Sequence, residues 1–310
     1  MRLHSIRYAL MILVALIGAA RAEESVSFVA YGDMPYGEET LEAYRALLKE
    51  IAAQGTGLAI HVGDIKSSKA DCTDTLLDAR LAEMKAMAGA LVYTPGDNEW
   101  TDCHRGEDPR FSDPEERLAR VRALGFPAAE SLGAAPLALI RQADEGPRYA
   151  AYVENARWRL GSVQFGTVHV VGSNNNRDDA AEFSAREGAG IAWIGEIFQA
   201  ADRVDAQAVV IALHADLFRP VDGPSGFARI DAALRAGARA FGGPVLLVHG
   251  DSHVFAFDRP FFDGDGPVVP NLWRLEVPGA RDIRAARVTV EPNGARPFSV
   301  LLFGPGEGDG

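Results

Sequence analysis

Residues 25–33 read Ser25-Val26-Ser27-Phe28-Val29-Ala30-Tyr31-Gly32-Asp33. The first four alternate polar and apolar, the period of a β-strand, and two further apolar residues extend the run. A glycine and a carboxylate follow. The arrangement recurs along the chain. Leu58 to Val62 leads into Gly63-Asp64, and Ala90 to Thr94 into Pro95-Gly96-Asp97-Asn98-Glu99-Trp100. Ala208 to Leu213 ends at His214, and Pro244 to Val248 runs through His249 into Gly250-Asp251-Ser252-His253. Each apolar run therefore ends in a hard oxygen or imidazole donor.

Helical patterns separate the early strands. Leu41, Tyr44, Leu47, Leu48 and Ile51 recur at helical spacing, as do Leu77, Leu81, Met84 and Ala88. Strand–helix–strand–helix–strand predicts parallel strands with right-handed crossovers, an α/β chain. In open α/β sheets, ligands bind at the carboxyl ends of the strands, so these donors are expected to converge. Carboxylates gathered at one edge repel one another and raise each other's pKa. No lysine or arginine recurs beside these strand ends, so metal ions are the natural counter-charge.

Residues 104–150 read as an insertion rich in charge, Pro and Ala, covering one end of the sheet. One helix is well signalled there. Asp113 caps it, Pro114 suits its first position, Glu116 completes a capping box, and Gly125 ends it. From Tyr149 the pattern predicts an antiparallel hairpin turning around Glu154 to Ala156. Ser184 and Glu187 form a second capping box, which opens a helix with Ile191, Ile194 and Phe198 on one face. A further helix carries Phe227, Ile230, Leu234, Ala238 and Phe241. Strand-like alternation returns from residue 271. Asn174-Asn175-Asn176 reads as a turn, and Trp158, Trp193 and Trp273 as core. No repeat of fixed period is present, and the expectation is one domain over residues 23–303 with a disordered tail at 304–310.

Residues 1–22 have the form of an export signal. Arg2 and Arg7 precede an apolar run from Ala9 to Ile17, and Ala20-Arg21-Ala22 is a small-x-small cleavage site. The expected product is periplasmic or secreted and holds no membrane span once the signal is cleaved. The formal net charge is -12, and losing residues 1–22 removes three arginines and no acid. Such a surface repels nucleic acid and anionic membranes at long range. In an exported chain the pair Cys72 and Cys103 is most simply a disulfide.

The order of these motifs resembles the calcineurin-like metallophosphoesterases across roughly residues 25–260. That family's series is Asp-x-His, Gly-Asp, Gly-Asn-His-(Glu/Asp), a lone His and Gly-His-x-His. Here it meets YGDMP, VGDIK, PGDNEW, ALHAD and HGDSH. The resemblance implies a four-layer sandwich, two packed mixed β-sheets flanked by helices, with two divalent metals between the strand ends. Carried over by residue, the first metal has Asp33, Asp64 and His253. The second has Asp64 as a bridge, Asp97 or Asn98, His214 and Asp251. Glu99 is expected to support the site.

The departures matter too. Pro35 stands where the family has a metal-binding His. Asp97 replaces the ligand Asn, and Asn98 replaces the His that assists the leaving group. Asp251 replaces the first His of the last motif. Two neutral ligands have become carboxylates, and an oxygen-rich set favours Mn or Mg over Zn or Fe. The resemblance implies hydrolysis of a phosphate mono- or diester, small or on a phosphoprotein, by metal-activated water. With no His at position 98, the candidate catalytic residues are Asn98 itself and two nearby proton donors, His104 and His249. The competing expectation is a non-catalytic module that keeps the fold and binds metal.

Overall fold

The structure is a computed structural model, and it describes residues 25–262 and 268–305. The proposed signal at 1–22 and residues 306–310 of the tail lie outside the described residues.

The elements follow in chain order. The first half holds β1 (Val26–Tyr31), α1 (Glu38–Ala53), β2 (Leu58–His61), α2 (Asp74–Lys85), β3 (Ala90–Tyr93), α3 (Pro114–Gly125) and β4 (Ile140–Arg141). Next come β5 (Ala156–Leu160), β6 (Val163–Thr167), α4 (Ala180–Arg203), β7 (Ala208–Ala212), α5 (Ala228–Phe241) and β8 (Val245–His249). The chain ends with β9 (Ala256–Asp258), β10 (Leu272–Glu276), β11 (Ala285–Val290) and β12 (Phe298–Phe303). They form two mixed sheets. One has the order β12-β11-β1-β2-β3, the other β4-β5-β6-β7-β8-β10-β9. β1, β2 and β3 are parallel, as are β6, β7, β8 and β10.

Strand alternation builds the layers. On β1, Phe28 and Ala30 face the second sheet, while Val29 and Tyr31 face α1 and α2. On β7, Val210 and Ala212 face the first sheet, while Val209 and Ile211 face α4 and α5. The result is helices, sheet, sheet, helices, the expected four-layer sandwich. Phe28 meets Phe165 edge to face between the sheets, ring centroids 5.4 Å apart. Burying such side chains contributes about 1.5–3 kcal/mol each.

Asp113 caps α3 as expected, accepting from the backbone N–H groups of Glu115 and Glu116. Three local expectations change. The hairpin turns at Gly161 and not at Glu154 to Ala156, because glycine takes the left-handed φ of +56° that a tight turn needs. α4 begins a turn earlier than the Ser184 box, at Asp179, whose carboxylate accepts from Glu182 N–H. Residues 104–150 do more than cover one end. Leu132 bridges to Leu91 on β3, and β4 pairs with β5, so the segment clips both sheet edges. Cys72 and Cys103 form the expected disulfide, joining the loop after β2 to the loop after β3.

Candidate metal centre

The carboxyl ends of both sheets meet along one edge. Asp33 follows β1, Asp64 follows β2, Asp97 follows β3, His214 follows β7 and Asp251 follows β8. Left-handed backbone marks the place: φ is +54° at Asp33, +59° at Asp64, +75° at Asp251 and +62° at His253. Non-glycine residues rarely adopt this conformation, and each costs of order 1–3 kcal/mol. Strain stored at four proposed ligands is a signature of a functional site.

The glycines of the motifs have a spatial reason. A Cβ on Gly96 would lie 2.0 Å from Asp64 Oδ1, and one on Gly250 would lie 2.1 Å from Asp33 Oδ2. Each carboxylate is therefore packed against the backbone of a different strand end.

Two groups of donors form, and Asp64 belongs to both. Asp33, Asp64 and His253 place ligand atoms within 4.8 Å of one another, and so do Asp64, Asp97 and His214. His214 Nδ1 donates to the Val62 carbonyl at 2.9 Å, which turns Nε2 towards Asp97 at 3.1 Å and Asp64 at 3.4 Å. Asp251 joins through its backbone N–H, which donates to Asp33 Oδ1 at 3.1 Å. Its carboxylate and that of Asp97 both face Gly172. Among the described residues no Lys or Arg forms an ion pair with these four acids. Lys66 is close in sequence, but its ammonium is held by the carbonyls of Ser67 and Ala70. Buried carboxylates without a lysine or arginine partner, facing imidazole nitrogens, fit divalent cations.

A cavity of about 330 Å³ opens onto the cluster, lined among others by Tyr36, Asp64, Asp97, Asn98, Asp251 and His253. Asp33 and His214 are fully buried beneath it. Glu99 supports the floor, with one carboxylate oxygen accepting from Tyr93 Oη (2.6 Å), Gly96 N (2.8 Å) and Asp64 N (3.2 Å). Asn98 donates its side-chain amide to the Lys66 carbonyl and to Tyr36 Oη. His104 is exposed and hydrogen-bonded to the Thr101 carbonyl, and His249 is buried behind the cavity wall. Neither imidazole lines the cavity.

Sequence reasoning missed Tyr36. Its hydroxyl stands amid the first group, 2.7 Å from Asp64 Oδ2, 3.1 Å from His253 Nε2 and 3.4 Å from Asp33 Oδ1. It lies three residues after Asp33, beyond Pro35, where no motif position pointed. Ser173 was missed as well. It donates to Asp97 Oδ2 at 2.9 Å from a left-handed turn that continues through Asn174, Asn175 and Asn176. Asparagine tolerates that conformation best among larger residues, which explains the run of three. Asn174 and Asn175 then anchor the turn to the backbone of Pro224 and Gly226.

The electrostatics predict a pH dependence. Burial, then the nearby Asp97, Glu99 and Asp33, raise Asp64 well above the usual carboxylate range against the pull of His214. Burial pushes Asp251 up to about 6. Burial lowers His214, but Asp64 and its neighbours outweigh that and raise it well above the usual imidazole value. All three groups hold protons more tightly folded than unfolded. Stability is therefore lost as pH rises through the folded values. The contribution of this cluster to metal-free stability is expected to shrink from about pH 5 to pH 8, against the opposite trend of His61, His169 and His249, whose buried imidazoles are lowered, so saturating Mn²⁺ should raise the melting temperature more at pH 8 than at pH 5. Thermal melts with and without chelator check this, and a Mn²⁺-induced rise no larger at pH 8 than at pH 5 would contradict it.

No protein-family model matches the chain, and no curated protein matches it. The fold has a solved counterpart. A structure described as "GAP50 the anchor in the inner membrane complex of Plasmodium" aligns over 92% of this chain and 86% of its own. The TM-score is 0.55 and the identity 9%, so the likeness shows the shared architecture alone.

Proposed function

We propose that the chain is an exported, metal-dependent phosphoesterase that hydrolyses a phosphate mono- or diester. The observation that carries this reading is Asp64, one buried carboxylate shared by two groups of metal-ligand type. In this reading Asp33, Asp64, His253 and Tyr36 hold one ion. Asp64, Asp97, His214 and Asp251 hold the other, and the oxygen-rich set favours Mn²⁺ or Mg²⁺ over Zn²⁺ or Fe. Such a pair supplies an activated water and neutralises phosphoryl charge. The chain's own residues bind and orient. Arg105 and Arg219 line the same cavity and suit the anionic oxygens of a substrate. The disulfide supports export, since such bonds persist in oxidising compartments. No described helix is long and apolar enough to cross a membrane.

Tyr36 takes the place vacated by the missing imidazole at Pro35. Burial, then Asp64 and Asp33, keep its phenol protonated without metal, and a nearby dication reverses that balance. Tyr36→Phe is expected to weaken one Mn²⁺ binding step by about 10–100-fold and spare the others. Mn²⁺ titration by calorimetry reads this, and a titration with every step unchanged would remove Tyr36 from the ligand set.

A non-catalytic module is the second reading. It is favoured by the amide of Asn98 where the resemblance expects an imidazole, and by a structural counterpart described as an anchor. Hydrolysis of an aryl phosphate monoester and diester by the chain from Glu23 separates the two readings. Mn²⁺-dependent turnover abolished by chelator is expected. No turnover above a metal-free blank with Mn²⁺, Mg²⁺ or Zn²⁺ would favour the module.

A further inference from the structure

Behind the loop that carries Asp251 and His253 lies a third group of donors: Asp216, His249 and Glu276. Their ligand atoms fall within 4.8 Å of one another, and all three side chains are buried. The protonation of His249 follows from its partners. Nδ1 lies 2.9 Å from the Gly250 carbonyl, which can only accept, so Nδ1 carries the proton. Nε2 of the neutral ring then holds a lone pair. It is fully buried and has no hydrogen-bond partner. A metal-binding imidazole is commonly oriented this way, its other nitrogen donating to a backbone carbonyl.

The charges around it are unbalanced. Asp216 accepts from Ser252 Oγ (2.6 Å) and Phe218 N (2.9 Å), and Glu276 from Val254 N (3.1 Å). The cation facing Glu276 is Arg274, at 4.0 Å, and its guanidinium is engaged by both carboxylate oxygens of Asp258. Two buried carboxylates and an imidazole lone pair thus face one another with little positive charge between them. Asp216 also lines the cavity, which gives an entry path.

We infer that Asp216, His249 and Glu276 form a separate binding site for a first-row dication of the zinc or manganese type. With two carboxylates and one imidazole the set has fewer oxygen ligands than either half of the paired centre, and it suits such an ion better than Mg²⁺ or Ca²⁺. Its role is structural. Ser252 hangs from Asp216 and Val254 from Glu276, so the ion fixes the loop between them, which presents Asp251 and His253 to the cavity.

The test is zinc content by elemental analysis after gel filtration, in proteins whose other donors are disabled. Asp64→Asn with Asp97→Asn should leave one equivalent bound. Adding His249→Gln, or separately Glu276→Gln, should remove it. Circular dichroism and metal-free melting of each further variant must match the double variant, and either of the two suffices. If the double variant binds no zinc, or keeps its equivalent through both further changes, the inference is overturned. The inference is independent of the dinuclear reading. If that reading alone fails, the unsubstituted chain binds one equivalent, and His249→Gln removes it.

Discussion

Asp64→Asn is expected to lower kcat/KM for an aryl phosphate by about a thousandfold or more. The asparagine keeps the shape and can still accept the backbone N–H of Asn98, which Asp64 Oδ1 now accepts at 3.0 Å. What it loses is the charge shared by both donor groups. Metal assistance is worth several kcal/mol, and each 1.36 kcal/mol is tenfold in rate. The same variant carries an opposite expectation for stability. Without metal, Asp64 is a buried acid crowded by Asp97, Glu99 and Asp33. Neutralising it relieves that repulsion, so the metal-free variant should melt no lower than the metal-free parent at pH 7. Kinetics with Mn²⁺ and melts with chelator read the two effects. Lost activity together with a large fall in the metal-free melting temperature would instead mark Asp64 as a structural residue.

Glu99→Ala should cost stability as heavily as Asp64→Asn costs rate. One carboxylate oxygen of Glu99 satisfies Tyr93 Oη, Gly96 N and Asp64 N, and the side chain is fully buried. Alanine leaves those donors without a partner in a tightly packed floor. Each unsatisfied buried donor costs about 1–3 kcal/mol, so a loss of about 3–5 kcal/mol is expected. Glu99→Gln retains an acceptor oxygen and should recover most of it. Urea unfolding of the two variants separates acceptor from volume. Equal losses in both would mean that the charge of Glu99, and not its hydrogen bonding, supports the loops.

The strand ends were legible because strand period and glycine placement are local properties. Gly63-Asp64 and Gly96-Asp97 announce themselves without knowledge of the partner sheet. The α3 cap was readable for the same reason, and the Cys72–Cys103 pair because the chain holds two cysteines. What escaped depends on distant packing. Tyr36 meets its partners only across elements, Asp64 after β2 and His253 after β8 of the other sheet. Glu276 sits at the end of a plain strand, and only the parallel pairing of β10 with β8 sets it opposite His249. Position 161 outcompeted Glu154 for the hairpin turn because a left-handed glycine decides a tight turn more strongly than polarity does. Asp216 lay inside a motif already noted for His214, yet its partner Ser252 lies on the loop after β8.

The most direct test of the two-metal account is anomalous diffraction from crystals of the chain grown or soaked in Mn²⁺. The account predicts two peaks sharing Asp64, one among Asp33, Tyr36 and His253 and one among Asp97, His214 and Asp251, apart from any peak at Asp216, His249 and Glu276. A single peak at Asp64, or none there, would contradict it.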